Sequence, residues 1–407
     1  MITFKSNILQ TLNKNEINFQ KNIYITIDNE SGKIVSISQN IPANTHYLDY
    51  SKYLLIPGLI DTHVHLSQYF IRGKQSPSLI DWLNKYVFAE EKKSQNDQYA
   101  ALVASSFFKD MIKSGTTTAS IYTSVFKNST DIAFKTADKF GVRALIGKVM
   151  MDCNCPDFLK EDSKKSFDES VELFEKWNQK TKLLDYVFTP RFAPVCSSKL
   201  MKKIGDFSSK NNAFIQTHLS ENWDEMNWIK NLFPENESYT DVYFDNGILG
   251  EKSILGHAIH LNKREIDLLE KSQSKIAHCP ESNFFLKSGK FNWHKISQSG
   301  IDFGLASDVG AGTILSMLNS MKMASFRQDL DLIELSEIFY SATLGAAKVL
   351  SKENLIGSIE IGKEADLVFV SGFNLEEKTG EEILSELVYL WNEKQIYSVY
   401  VSGNKLL

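Results

Sequence analysis

Between residues 57 and 350 the chain alternates short apolar runs with longer amphipathic stretches, and this alternation limits the fold more than any other feature. The strand-like runs are LLIPGLIDTHVHL, TTTASIYT, RALIGKVMMD, DYVFTPRFAP, AFIQTHLSE, SILGHAIHL, SKIAHCPESN and IDFGLASDVGAG. Between them lie helical stretches such as AALVASSFFKDMIKSG and SFDESVELFEKWNQ, with glycine or polar residues at their ends as βα units require. Eight strands, each followed by helix, predict an α/β fold closed into a (β/α)8 barrel of the TIM type. The alternative, an open doubly wound sheet, would carry an early strand-linked G-x-G-x-x-G, and this chain lacks it.

The ends of the chain read differently. NIYITIDNESGKIVSISQ alternates apolar and polar residues on both sides of a polar NESG turn, the pattern of a half-buried antiparallel hairpin. EADLVFVS and YSVYVSGNKLL have the same texture near the C-terminus, the second broken at Ser402-Gly403-Asn404. Residues 1–56 together with 355–407 are therefore expected to form a small β domain, and 57–354 the barrel. At 407 residues the chain suits one barrel-sized domain with a smaller attachment.

Composition excludes several functions. A formal net charge of -5 gives no reason to expect a nucleic-acid partner. The N-terminal MITFKSNILQTLNKNEINF has no signal-peptide pattern, and no run approaches the about 18 apolar residues of a spanning helix. A cytoplasmic protein without a membrane partner is expected. Cys153, Cys155, Cys196 and Cys279 are too few and too irregularly spaced for a disulfide framework, and are expected to be reduced and mostly buried.

In a barrel the active-site groups gather at the C-terminal ends of the strands. On the first strand His63 and His65 are two residues apart and so face the same way. Strand five ends with His218 and Glu221, strand six carries His257, and strand eight ends with Asp308. Each alone has a plain structural reading: a core histidine, or an aspartate capping a turn. Together they form a set of imidazoles closed by a carboxylate, which suits Zn²⁺, with Fe²⁺ possible.

Gln68, just past His65, offers a donor and an acceptor, and Arg191-Phe192 ends strand four with a planar donor beside an aromatic face. Such groups suit a planar, polar heterocycle; a surface glutamine, a salt-bridged arginine and a core phenylalanine are the plain alternatives. SLIDWLNKYVF (78–88) reads as a lid or as an ordinary amphipathic helix. His46, His260 and His294 read as solvated or structural, His278 as structural or a support to the site, and Cys279 as a buried small residue or a ligand. Asp61 shares the parity of the two strand-one histidines but lies deeper, as a support or a structural group.

PGLIDTHVH on strand one, one histidine on each of strands five and six, and aspartate on strand eight resemble the amidohydrolase superfamily of metal-dependent hydrolases. Its members carry a small β-sandwich built from both chain ends. More narrowly, HVHLSQY, DWLNKYVF, FGVRALIGKVMMD, TPRF, HLSEN, AHCPESN and SDVGAG are similar to the guanine deaminase family, across residues 63–312. The resemblance implies hydrolytic loss of the 2-amino group of guanine, giving xanthine and ammonia, with one zinc per chain and a homodimer. It implies that His63, His65, His218 and Asp308 hold the zinc, that Glu221 shuttles protons, and that His257 with Asp308 orients or deprotonates the attacking water. Gln68, Arg191 and Phe192 would hold the purine, with His218 and Glu221 also against it. Where that family often has glycine, asparagine and a second glycine, this chain has Ala258, Glu281 and Ala311; Glu281 adds a possible negative charge near the purine.

Other chemistries would leave different marks on the same strands. A two-metal amidohydrolase would place a bridging lysine on strand four, which instead reads VFTPRFAP. A cytidine-type deaminase would show H-x-E with P-C-x-x-C, and neither His63-Val64-His65 nor Cys279-Pro280-Glu281-Ser282 fits. A related deaminase acting on another aminated purine, a pterin or a triazine is the nearest enzymatic alternative. A non-catalytic scaffold is the other, and such a chain would be expected to lose metal ligands that are all retained here.

Overall fold

The computed structural model describes residues 1–326, 332–392 and 395–407. Both chain ends meet in one seven-stranded mixed sheet. Strand β1 (Ile2–Asn13) pairs antiparallel with β2 (Glu16–Ile27), and β2 with β3 (Ile34–Ser38) across the NESG turn. On its other edge β1 runs parallel to β4 (Leu48–Pro57), which leads into the barrel.

The barrel strands are β5 (Leu59–His65), β6 (Thr116–Tyr122), β7 (Arg143–Gly147) with its short continuation β8 (Val149–Met150), β9 (Leu184–Pro190), β10 (Phe214–Leu219), β11 (Ser253–His257), β12 (Lys275–His278) and β13 (Phe303–Leu305). They are parallel and follow chain order around the sheet, with β8 paired to β9. Every one of their residues is buried, as expected of strands with helices outside and packed side chains within. The ring is drawn shut at the mouth: Asp308 N–H donates to the His63 carbonyl at 3.0 Å and His65 N–H to that of Val309 at 2.7 Å. One junction thus joins the ends of the first and last strands and sets two candidate ligands beside a third.

The C-terminal strands β14 (Leu367–Val370), β15 (Ile396–Val401) and β16 (Asn404–Lys405) complete the first sheet, with β14 antiparallel to β4. Phe4, Tyr50, Phe369 and Tyr400 form its aromatic centre, with ring centroids 4.8 to 5.8 Å apart. A buried ion cluster fastens this sheet to the barrel. Arg143, at the start of β7, is fully buried and donates to Asp366 at 3.1 and 3.2 Å and to Glu364 at 2.8 Å.

The helices start where short polar side chains can take up free N–H groups. Asn96, Asp162 and Ser197 cap the helices Asp97–Lys113, Ser163–Trp177 and Ser198–Asn211. Asn222 with Glu225 and Asn262 with Glu265 form reciprocal capping boxes at the mouth-side starts of the helices after β10 and β11. Among the described residues no helix is long and apolar enough to cross a membrane.

Candidate active site

The C-terminal ends of the strands surround a cleft, the usual place for a small-molecule site in a barrel. Its wall includes His65, Gln68, Arg191, Phe192, His218, Glu221, His257 and Asp308. These groups come from strands one, four, five, six and eight, so residues up to 243 positions apart share one space.

Three imidazoles and a carboxylate converge at its floor. His65 Nε2 lies 3.2 Å from both His63 Nε2 and His218 Nε2, and Asp308 Oδ1 lies 3.4 Å from Nε2 of His63 and of His65. A tetrahedral ion with ligands at about 2.0–2.1 Å holds its ligand atoms about 3.3–3.4 Å apart, so the observed spacings fit such an ion. Burial holds His63 below the usual imidazole range and His65 and His218 well below it, leaving neutral rings with lone pairs to offer. Burial opposes the charge on Asp308, but the hydrogen bond with His63 and the charge of His257 outweigh it and bring its pKa to about 2.

Neighbours fix the ring orientations. His218 Nδ1 donates to the Arg191 carbonyl at 2.6 Å, which turns Nε2 inward. His63 has room because residue 256 on β11 is glycine: a Cβ there would stand 2.8 Å from His63 Cε1. Cys279 also lies within reach of His63, His257 and Asp308. Burial, followed by the charges of Asp308 and Glu221, pushes its thiol pKa well above the ordinary value.

Glu221 and His257 stand beside this group. His257 Nε2 is 3.5 Å from Glu221 Oε2 and 3.7 Å from Asp308 Oδ2, and among the described residues it has no hydrogen-bond partner. Burial raises the Glu221 pKa to about 7, with His257 opposing the rise and Asp308 adding to it. For His257 burial acts the other way, and the charges of Glu221 and Asp308 overcome it to raise the pKa. Glu221 can therefore gain and lose a proton near neutrality, the property a proton shuttle needs.

Several side chains important to this geometry were not read from the sequence. Asn283 Oδ1 meets His257 Nδ1 at 2.9 Å, and Ser288 Oγ donates to Glu221 Oε1 at 3.2 Å. Glu91 is fully buried and pairs with both Arg191 and Gln68. A helical period was its available signal: Glu91 lies three and four residues beyond Phe88 and Val87, an acid on an apolar face.

The remaining candidates separate clearly. Residues Leu79–Lys93 form one helical run with a π-helical stretch at Leu83–Val87, and Leu79, Trp82 and Leu83 line the cleft. Asp61 accepts from Ser307 N–H at 3.0 Å and from its hydroxyl, bracing the last strand against the first. His278 is buried and stacks on Phe291 at 4.2 Å, and His260 Nε2 bonds the Ser288 carbonyl at 2.8 Å, so both have structural partners. His46 is exposed, and His294 lies in the short helix Trp293–Gln298. The charge expected near the purine from Glu281 is taken up elsewhere. Its carboxylate accepts from Thr313 N–H at 3.2 Å and from Asn319 at 3.1 Å, and it does not line the cleft. Ala311 does line it, and Ala258 adopts a left-handed backbone with φ 48.

Residues 54–406 match the amidohydrolase family. The chain belongs to the amidohydrolase family. It is 37% identical to a guanine deaminase of Escherichia coli (strain K12) over 92% of this chain and 86% of that protein. A guanine deaminase of Dictyostelium discoideum is 35% identical over 88% of this chain and 84% of its own length. Among solved structures, the guanine deaminase from C. acetobutylicum with bound guanine in the active site superposes with a TM-score of 0.95. It is 34% identical, and the match covers 100% of both chains. This amidohydrolase thus has the metal-dependent barrel of its family, with candidate metal-binding groups gathered at the mouth.

Proposed function

We propose that this amidohydrolase is a guanine deaminase, releasing the 2-amino group of guanine as ammonia to leave xanthine. One observation carries the reading: the cleft that gathers the candidate metal ligands also has Gln68, Arg191 and Phe192 on its wall, in a chain 34% identical throughout to the guanine-bound enzyme. His63, His65, His218 and Asp308 would hold one zinc ion, the donor set and spacings fitting it, with iron as the alternative. When bound, zinc supplies the Lewis acidity that brings the pKa of water from ~15.7 to about 7, so a nucleophile exists at neutral pH.

The chain's own groups supply the rest. His257 and Asp308 hold and orient the attacking water, and Asp308 accepts its proton. Glu221 gives a proton to the ring nitrogen beside the carbon under attack, takes up the proton of the added hydroxyl as the carbonyl forms, and passes it to the departing amine; the proton held by Asp308 then returns to Glu221 and resets the pair. The second transfer is required because an amide anion is too poor a leaving group. Phe192 offers its face to the ring, while Gln68 and Arg191 meet its polar edge, with His218 and Glu221 also against the base. The reading brings with it a cytoplasmic homodimer.

The test is a substrate panel followed in the ultraviolet. Guanine is expected to be consumed with the appearance of the xanthine spectrum. Turnover of another aminated purine, a pterin or a triazine, with guanine untouched, would reject guanine as substrate and leave the family assignment standing.

A further inference from the structure

Arg191 and Gln68 share a partner that the proposed mechanism does not use. Glu91 is 0% exposed, and its two oxygens accept from Arg191 Nη1 at 2.9 and 2.7 Å. Its Oε1 also accepts from Gln68 Nε2 at 3.0 Å. A buried carboxylate is costly unless paired and hydrogen-bonded, and this one is paired with two residues of the cleft wall. Phe88, one turn earlier on the same helix, lies under the guanidinium at 5.5 Å.

The pairing sets the polarity of that wall. A carboxylate only accepts, so the Gln68 amide must turn its NH₂ toward Glu91. Its Oε1, which accepts no hydrogen bond among the described residues, is left as an acceptor for the cleft. Arg191 commits Nη1 to Glu91, and Nε and Nη2, without partners among the described residues, are left as donors. The wall therefore offers an acceptor beside a donor. A 6-oxopurine edge is the complement, with N1–H as donor beside O6 as acceptor. A 6-aminopurine edge has the opposite order.

Building on the guanine reading, we propose that Glu91 is a positioning residue that determines specificity, holding Gln68 as acceptor and Arg191 as donor so that the cleft takes the 6-oxo, N1–H edge and rejects the 6-amino edge. A site with buried polar groups discriminates strongly because the wrong ligand leaves them unpaired.

The test uses the metal-loaded full chain with hypoxanthine and adenine as probes. Neither carries the 2-amino group, and they differ in the edge at issue. Wild-type protein is expected to bind hypoxanthine at least tenfold more tightly than adenine, by calorimetry and as inhibitors of guanine turnover. In Glu91→Gln the substituted amide can donate as well as accept, so Gln68 is free to turn over. The preference should fall at least tenfold, and KM for guanine should rise by more than kcat falls. Equal weakening of both probes, or an unchanged preference, would overturn the inference, since a merely structural role moves both affinities together. Should Glu91→Gln fail to fold, Gln68→Leu decides, because it leaves the Glu91–Arg191 pair in place while removing the acceptor. Loss of the preference supports the inference and its retention overturns it. Wild-type protein that binds neither base and leaves guanine unchanged sinks the guanine reading itself, whereas guanine turnover with an unaffected Glu91→Gln sinks only the role of Glu91.

Discussion

His257 Nε2 stands 3.5 Å from Glu221 Oε2, with both side chains buried at the barrel mouth. The pair unites an imidazole at the end of β11 and a carboxylate just past β10, both with raised pKa values and facing one point. Glu221→Gln keeps the shape and removes the titrating group. It is expected to retain metal, measured by elemental analysis, and to lose about 10²–10⁴ in kcat, the usual contribution of a positioned acid–base group. Full activity in this variant would reject the proton shuttle.

Removal of the metal should be visible without any substrate. Dialysis against a chelator is expected to abolish activity, with recovery on addition of zinc. A ligand bound by the folded state alone contributes about 4 kcal/mol at a thousandfold excess over its Kd, so the unfolding midpoint should fall on chelation. An unchanged midpoint in calorimetry would argue against a tightly held ion.

Gly256→Ala tests the packing behind the ligands. The added methyl would meet His63 Cε1 at 2.8 Å and Nδ1 at 2.9 Å, so the ring must shift. Metal affinity is expected to drop about 10–100-fold, as for other supports of metal ligands, while the fold persists. Competition with a chromogenic chelator reads this directly.

Arg143→Met should be costly for stability. It leaves Asp366 and Glu364 as buried carboxylates without their cation, a change of about 3–5 kcal/mol. Urea unfolding should show a markedly lower midpoint, with part of the loss restored by adding Asp366→Asn and Glu364→Gln. No recovery in the triple variant would mean that the arginine acts through packing rather than charge.

Acid should weaken one junction between two outer helices. Burial opposes ionisation of Asp131, but hydrogen bonds from Lys135, Lys176 and Trp177 outweigh it and lower its pKa from 3.8 to about 2. With the folded value depressed, the stabilisation is complete above the unfolded pKa and is lost as pH falls from about 4 toward 2. The stability difference between wild type and Asp131→Asn should therefore be present at about pH 6 and shrink below about pH 4 in urea titrations. A difference independent of pH would show that the charge contributes nothing.

Much of the site was legible because its signals are local. His63 and His65 share a face by strand geometry alone, and strand ends marked His218, Glu221, His257 and Asp308 once the barrel was inferred. Glu281 shows where local reading stops. Its charge was visible, but its hydrogen bonds to Thr313 and Asn319 depend on how the segment after the last barrel strand, including the helix Met317–Phe326, folds back. Asn283, in the helix Pro280–Phe285, and Ser288, in the loop after it, were silent for the same reason: small polar residues have many possible partners, and only the fold selects His257 and Glu221.

The sequence by itself determined the order of strands and helices, the two-residue spacing of His63 and His65, and the types of side chain at each strand end, because backbone periodicity and residue chemistry act over a few positions. Only the tertiary structure decided which groups touch. It set Asp308 against His63 by closing the ring, placed Arg143 between Asp366 and Glu364, and turned Glu91 onto Arg191 and Gln68. Such pairings join residues far apart in the chain, and they exist only where burial makes an unpaired charge too costly to leave.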